Sequence, residues 1–371
     1  MLDKEDFFGY IYLMTANAIE LLKKYKKTVD PLLRDYFSRK MKQAEKIDPL
    51  AKEIIKTVAD FTLADGKRIR PAMVYYGYLA AGGEDNKNIL EASLAIELVH
   101  SFLLIHDDII DRDQTRHGIP TIHEKYKKIG KRLSPEKDEN HFGNSIAIIV
   151  GDSASAMANE IMFNTKFPAE TVIRALDKLQ DIVYVTIPGE MMDVIMEYKG
   201  ETTEEEILRM FEGKTSRYTF EGPLHLGAVL AGKDEKTLED FTAYSLPLGK
   251  AFQLRDDILG VFGDEKKLGK PVGSDVIEGK QTLLYLKAYE KADGEQKKKL
   301  KKYLGKADLN KEELEEFRQI IKDTGSLEYS QEMSEKFVEE SLSALESIDF
   351  KKDEARVFLE GIARYIIERE V

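Results

Sequence analysis

The sequence predicts an all-α fold, and two observations support this prediction. Long segments carry apolar residues at helical spacing, as in residues 89–106 and 171–187, and no pair of segments alternates as strands do. The breaks between the segments are short and contain Gly, Pro and Asp, as at 65–71, 80–87 and 263–275. None of these breaks has the character of an interdomain linker, so we expect a single domain.

Two segments within this domain of residues 1–371 stand apart from the pattern. Roughly the first 45 residues form an amphipathic helical lead-in, and residues 126–142 are mostly charged. Because charged stretches with few apolar residues are typical of exposed segments, we expect a loop insertion at about 126–142. No repeat of fixed period is visible.

Composition limits the partners and the chemistry. The net charge of −12 argues against a nucleic-acid partner, which requires a concentrated basic face. The chain contains no cysteine, which excludes disulfides, thiolate metal sites and a cysteine nucleophile. The first residues are acidic where a signal peptide is basic, and no apolar stretch reaches membrane-spanning length. We therefore expect a cytoplasmic protein without a transmembrane segment.

An apolar helical segment ends in three carboxylates, Asp107, Asp108 and Asp111. On a helix, residues i and i+4 lie on one face, so Asp107 and Asp111 project together with Asp108 beside them. Carboxylates this close repel each other and need a cation, and oxygen ligands select hard ions such as Mg²⁺. Taken alone, the motif fits a solvated helix end as well as it fits a metal site.

A second acidic cluster, Asp256 and Asp257, follows another apolar helical segment. Gly260 stands where a third acid would be, and Asp275, after a glycine-rich loop, is placed to supply a further ligand. Two clusters on separate helices can face each other across a cavity, as in metal sites inside helical bundles. The recurrence therefore favours a magnesium site.

Basic residues at helix breaks indicate a substrate that carries phosphate. Lys67, Arg68 and Arg70 crowd a helix start, where backbone N–H groups and guanidinium groups both suit a phosphate. Further lysines follow glycine directly: Lys214, Lys270 and Lys280. Neither the Lys214 nor the Lys280 site is a nucleotide P-loop. A P-loop needs a glycine five residues before the Gly-Lys pair, where Leu208 precedes Lys214, and a Ser or Thr after the lysine, where Gln281 follows Lys280.

In order and spacing, these motifs resemble the trans-isoprenyl diphosphate synthase family, in particular archaeal geranylgeranyl and farnesyl diphosphate synthases. The motifs are GKRIRP, HDDIIDRDQTRHGIPTIH, GKT and FQLRDDILGVFGDEKKLGKPVGSD followed by GKQTLL. The resemblance implies a homodimer, each chain a large bundle of mostly antiparallel helices around a deep central cavity. It also implies a Mg²⁺-dependent prenyltransferase that joins isopentenyl diphosphate to dimethylallyl, geranyl or farnesyl diphosphate.

The resemblance also implies a role for each motif residue. About three Mg²⁺ ions, with Mn²⁺ as an alternative, would be held against the allylic diphosphate. Their ligands would be Asp107, Asp108, Asp111, Asp256, Asp257 and Asp275. The residues that would neutralise the leaving pyrophosphate are Arg116, Lys214, Thr215, Gln253, Lys270 and Lys280. Those that would bind isopentenyl diphosphate are Lys67, Arg70, His100 and His117.

Three residues depart from the family pattern. His117 replaces the second of two paired arginines, so we expect a lower or pH-dependent affinity for isopentenyl diphosphate. Gly260 replaces the last acid of the second motif, a change that the remaining aspartates are expected to tolerate. Glu190 stands where many relatives have Gln, and the sequence assigns it no role.

In the resembled family, product length depends on residues just before the first aspartate motif, where bulky side chains form the pocket floor. Phe102 lies five residues before Asp107, which is about 7.5 Å along a helix, and Leu103 is not aromatic. This arrangement resembles archaeal geranylgeranyl synthases. We therefore expect geranylgeranyl diphosphate, with farnesyl or longer products as alternatives; a Phe that simply packs the core is the competing interpretation.

Two other functions fit parts of the sequence. A terpene cyclase also uses an aspartate-rich motif, but its second motif would require Ser or Thr where Gly260 stands and Glu where Asp264 stands. A noncatalytic regulatory subunit of a synthase would lose ligands, and His117 is one small step in that direction.

Overall fold

The computed structural model describes residues 4–64, 66–116, 118–263 and 272–368, with side chains from residue 14 onward. The described chain is almost entirely α-helical, as predicted. The helices of its first half are α1 (Lys4–Ala44), α2 (Pro49–Thr62), α3 (Ile69–Ala80), α4 (Lys87–Ile110), α5 (Ile122–Leu133), α6 (Glu139–Phe163) and α7 (Ala169–Lys199). Between α4 and α5, the short strands β1 (Thr115–Arg116) and β2 (Ile119–Pro120) pair antiparallel.

The second half continues with α8 (Glu204–Phe211), a π-helical segment (Glu212–Glu221), α9 (Gly222–Leu230) and α10 (Glu235–Phe262). The remaining helices are α11 (Ser274–Glu278), α12 (Leu283–Lys291), α13 (Gly294–Tyr303), α14 (Lys311–Asp323), α15 (Ser326–Leu345) and α16 (Asp353–Glu368).

The chain divides into two compact units. The first unit comprises Met1–Ile19, Gln180–His225 and Lys233–Val371, and the second comprises Glu20–Leu179 and Leu226–Gly232. The expectation of one domain, and of two aspartate clusters that face each other, therefore stays a prediction.

In the second unit, α4 packs against α3 and α6, and α5 packs on α6. The side chain of Asn86 caps the start of α4 by accepting hydrogen bonds from the N–H groups of Asn88 and Ile89. The helix is apolar on all sides and is buried along most of its length, as expected of a core helix. Its last turn carries Asp107 and Asp108, and Asp111 is the C-cap residue that follows Ile110.

The predicted loop insertion at 126–142 is wrong, because α5 and α6 leave only residues 134–138 between them. Ile122, Tyr126 and Gly130 recur every four residues and form the buried face of α5. The numerous lysines cover the opposite face, so α5 is an amphipathic helix. It shares a high content of charged residues with exposed loops, but not their structure.

In the first unit, α10 packs against α15 and against the π-helical segment. Asp234 caps the start of α10 through the N–H of Thr237, and the helix is buried at its far end around Asp257. The unit therefore fixes the second aspartate cluster beside the π-helical segment.

Two helices, α4 and α6, are long and apolar enough to cross a membrane by length and hydropathy alone. The most apolar window of α4 is 61% buried among other helices and that of α6 is 44% buried. Core helices of soluble proteins have the same length and composition, so this property is weak evidence for a span. The length and hydropathy of α4 and α6 nevertheless contradict the expectation from the sequence that no apolar stretch reaches membrane-spanning length.

Candidate active site

The carboxylates that end α4 surround the guanidinium group of Arg116. Its Nε lies 2.5 Å from Oδ1 of Asp108, and its Nη2 lies 3.6 Å from Oδ2 of Asp107 and 3.1 Å from Oδ2 of Asp113. Arg116 reaches them because the chain turns directly after α4, where Arg112 has a left-handed backbone with φ of 59° and the N–H of Asp113 donates to the carbonyl of Asp108. It thus offsets the repulsion that the clustered carboxylates would otherwise have.

Asp108 is the buried member of this cluster, with 1% of its surface exposed. Burial raises the pKa of Asp108 to about 7, against the opposing effect of Arg116. Its Oδ2 is buried and accepts no hydrogen bond from the described residues. A carboxylate oxygen of this kind fits a cation, although the described residues hold no group of three acidic or histidine side chains already converged on one.

Arg70 and His100, which the family resemblance assigns to isopentenyl diphosphate, are in contact. Nη1 of Arg70 lies 3.2 Å from Nε2 of His100, which joins the start of α3 to the middle of α4. His100 and Arg116 line one pocket in the second unit, and Lys67 is exposed at the same helix start as Arg70. The other residues lining the pocket are Phe61, Thr62, Ala64, Gly66, Arg68, Glu97, Ser101, Leu104, Ile119, Pro120 and Thr121.

Arg68, unlike Lys67 and Arg70, is buried, and it pairs with acidic side chains. Its side chain is 3% exposed and forms ion pairs with Glu97 and, at 2.9 Å, with Asp30. Its backbone is left-handed, with φ of 58°, an uncommon conformation for a residue other than glycine. These ion pairs stabilise the turn that precedes α3, and Lys67 and Arg70 lie on either side of Arg68.

The second cluster is built around Gln253 and Asp257 on α10. The hydroxyl of Thr215 donates to Oε1 of Gln253 at 2.6 Å, and Nε2 of Gln253 donates to Oδ1 of Asp257 at 2.9 Å. Burial, followed by the charge of Asp275, raises the pKa of Asp257 well above its usual range. Its Oδ2, like that of Asp108, is buried and accepts no hydrogen bond from the described part of the chain. Asp256 is partly buried beside it.

Lys214 and Lys280 meet at a shared acid, Asp193. Oδ2 of Asp193 lies 2.7 Å from the ammonium of Lys214 and 3.1 Å from that of Lys280. Oε2 of Glu190 lies 2.9 Å from the ammonium of Lys214. Burial alone would raise the pKa of Asp193, but the two ammonium groups outweigh it and lower that pKa.

The π-helical segment and α7 touch backbone to backbone where this cluster forms. A Cβ at Gly189 would lie 2.3 Å from the backbone nitrogen of Lys214, so only glycine permits this approach. π-Helical turns are rare and recur at functional sites. Here the segment brings Lys214 and Thr215 to the acids of α7 and to Gln253.

Two predicted site residues, His117 and Lys270, lie outside the described residues. Phe102 and Leu103 are partly buried on α4, so Phe102 is not one of the fully buried core residues.

Sequence reasoning missed two residues that organise these clusters. Asp193 lies three residues after Glu190 on α7, and that spacing could have indicated a second acid on the same helix face. The sequence groups Arg68 with Lys67 and Arg70 at a basic helix start, and no local signal shows that its partners are Asp30 and Glu97.

The sequence profile of the Polyprenyl synthetase family matches residues 52–321. The geranylgeranyl diphosphate synthase of Saccharolobus solfataricus is 33% identical over 308 residues, which cover 82% of this chain and 87% of that protein. The geranylfarnesyl diphosphate synthase of Natronomonas pharaonis is 32% identical over 82% of this chain and 87% of its own length.

A solved structure has the same fold over nearly the whole chain. It is the geranylgeranyl pyrophosphate synthase of Corynebacterium glutamicum in complex with isoprenyl diphosphate and magnesium. The TM-score is 0.88 at 32% identity, and the match covers 94% of this chain and 99% of that one.

Proposed function

This chain belongs to the polyprenyl synthetase family and is a trans-isoprenyl diphosphate synthase, and from that premise we propose that it makes geranylgeranyl diphosphate. The reaction joins isopentenyl diphosphate to an allylic diphosphate and releases pyrophosphate. Relatives of similar identity are named geranylgeranyl and geranylfarnesyl diphosphate synthases, so product length is the finer question.

The main support for the proposed metal site is one buried carboxylate oxygen on each of the two aspartate motifs. Oδ2 of Asp108 and Oδ2 of Asp257 are each shielded from water and accept no hydrogen bond from the described residues. A buried, unsatisfied carboxylate oxygen is costly unless a cation completes it. Divalent metal use is a family property, and these oxygens fit it. We propose that about three ions bind there, with further ligands Asp107, Asp111, Asp256 and Asp275.

The basic residues act on the leaving group. Bound Mg²⁺ would supply Lewis-acid stabilisation of the departing pyrophosphate. Lys214 and Lys280 provide ammonium groups already held in place by Asp193, and Arg116 provides a guanidinium beside Asp107 and Asp108. In this proposal Thr215 and Gln253 would turn from each other and donate further hydrogen bonds to the pyrophosphate, and Lys270 would add a further ammonium group. Such preorganised charge is usually the largest catalytic term.

Isopentenyl diphosphate is the second substrate in this proposal. The guanidinium of Arg70, oriented by His100 at 3.2 Å, would bind its diphosphate together with Lys67 and His117. When the allylic C–O bond breaks, the resulting cation alkylates the double bond of isopentenyl diphosphate. The proton lost in the last step passes to the departed pyrophosphate, so no dedicated protein base is required.

Product length tests the proposal through Phe102. With farnesyl diphosphate and excess isopentenyl diphosphate, we expect the wild-type protein to stop at the twenty-carbon product. In Phe102→Ala the floor is removed, so longer products should appear at a near-normal rate. A core Phe would instead cost about 3–5 kcal/mol of stability and leave product length unchanged.

A homodimer and a cytoplasmic location complete the proposal. The exposed side of α7 carries Tyr184, Ile187, Met191, Ile195 and Tyr198, with exposures between 48% and 77%. Their spacing places them on one helix face, which supports burial against a second copy of the chain. Sedimentation of Met191→Lys should then give a monomer where the wild type gives a dimer.

A further inference from the structure

The ring of His106 packs edge-on against the ring of Phe102, one helical turn earlier on α4. Their centroids are 4.9 Å apart and their planes meet at 72°. Residues four apart share one helix face, and edge-to-face contact is a favoured arrangement of aromatic rings. His106 begins the motif HDDIIDRDQTRHGIPTIH, but the proposed chemistry gives it no role.

The other side of the His106 ring is fixed by α6. Nε2 of His106 lies 3.2 Å from the carbonyl oxygen of Ile148. A Cβ at Gly151 would lie 2.4 Å from Nε2 and 2.6 Å from Cδ2 of the same ring. The absence of a side chain at residue 151 therefore leaves the space that the imidazole fills.

We propose that His106 and Gly151 set the product chain length by fixing the position of the Phe102 ring. The inference rests on the proposed function, in which Phe102 forms the floor beneath the growing chain. Both are positioning residues, because they act on the product through Phe102. Their contacts form one chain from the backbone of α6 to the floor: Gly151, His106 and Phe102.

Because Gly151, His106 and Phe102 are closely packed, their contacts are sensitive to side-chain volume. Protein interiors have few voids, so a change of one or two heavy atoms at a packed contact moves its neighbours. Removing the imidazole leaves space into which the Phe102 ring can turn, and the pocket deepens. Adding a methyl group at residue 151 moves the imidazole off α6 and against Phe102, and the pocket becomes shallower.

The experiment measures the product-length distribution of His106→Ala, Gly151→Ala and the double variant. Each protein receives Mg²⁺, farnesyl diphosphate and excess isopentenyl diphosphate, and products are identified by mass at matched conversion. We expect His106→Ala to extend the main product by at least one five-carbon unit. Gly151→Ala should slow the addition to farnesyl diphosphate at least several-fold, and the double variant should recover it because the clash partner is gone.

Gly130→Ala is the matched control, because a Cβ at residue 130 would lie 2.7 Å from the ring of Phe142 in the same unit. It introduces the same kind of crowding without touching Phe102, and its product length should equal that of the wild type. The inference is overturned if both single variants keep the wild-type distribution, or if the control shifts as they do. Absence of any prenyl product from the wild type would instead overturn the proposed function.

Discussion

The carboxylate of Asp275 occupies the space that a side chain at residue 260 would take. A Cβ at Gly260 would lie 2.2 Å from Oδ2 of Asp275, and the N–H of Gly273 donates to the carbonyl of Gly260 at 2.8 Å. The missing acid of the second motif is therefore replaced in space by an acid from α11. Glycine at this position is a condition for Asp275 to reach α10.

Gly260→Ala should weaken the response to magnesium. The added methyl group displaces Asp275, and changes next to metal ligands typically cost about 10- to 100-fold in metal affinity. The measurement is the Mg²⁺ concentration that gives half-maximal rate. Gly294→Ala is the control, because a Cβ there meets no atom within 4 Å. An unchanged magnesium requirement in Gly260→Ala would show that Asp275 does not need this space.

Asp108→Asn should abolish turnover and stabilise the metal-free protein in a pH-dependent manner. Burial raises the pKa of Asp108 to about 7 from 3.8, so the folded state binds this proton more tightly than the unfolded chain does. The free energy of unfolding contributed by Asp108 is therefore full at low pH and falls as the pH rises through that window. In chelator, the variant should gain stability over the wild type at about pH 8 and lose that gain near pH 4. Thermal unfolding at both pH values measures it, and a gain independent of pH contradicts the assignment.

Glu190→Gln should lower the Michaelis constant for the allylic diphosphate. Glu190 and Asp193 together neutralise the charges of Lys214 and Lys280, so removing one carboxylate leaves net positive charge for the diphosphate. A gain of about 1 kcal/mol, or roughly fivefold, is the scale for one partly screened charge. Glu335→Gln, which changes an exposed acid on α15, makes the same change in net charge and should have no effect. Equal constants for wild type and Glu190→Gln would mean that Lys214 does not bind this substrate.

Arg68→Met should destabilise the fold strongly. The change leaves the buried carboxylate of Glu97 without its guanidinium partner, which costs about 3–5 kcal/mol, whereas the partly buried Asp30 keeps its ion pair with Lys26. Urea unfolding measures the loss. Lys56→Met removes the exposed ion pair with Asp60 and should cost less than about 1 kcal/mol. Similar losses in the two variants would contradict the structural role of Arg68.

Much of the fold was predictable because helical periodicity is a local property. The apolar runs before Asp107 and Asp256 are α4 and α10, and the two aspartate clusters end or nearly end these helices as predicted. The prediction of a loop at 126–142 was wrong because composition does not distinguish a loop from the solvated face of an amphipathic helix. Only the spacing of the buried residues of α5 makes that distinction.

The candidate site was predictable in its residue types and not in its pairings. Arg70 and His100 were both expected on one substrate from the family pattern, but no motif predicts that their side chains touch. The contacts of Arg68 with Asp30, of Glu190 with Lys214 and of Gly260 with Asp275 join distant or oddly spaced positions. Such contacts depend on tertiary packing, which no motif encodes.

The most direct test of the central claim follows labelled carbon into the product. Purified protein is incubated with unlabelled farnesyl diphosphate and ¹³C-labelled isopentenyl diphosphate, with Mg²⁺ or with chelator, and the products are analysed by mass. We predict a single main product that carries one labelled five-carbon unit, formed only with Mg²⁺ and lost in Asp107→Ala. An unlabelled cyclic hydrocarbon, or no turnover at all, would contradict the account.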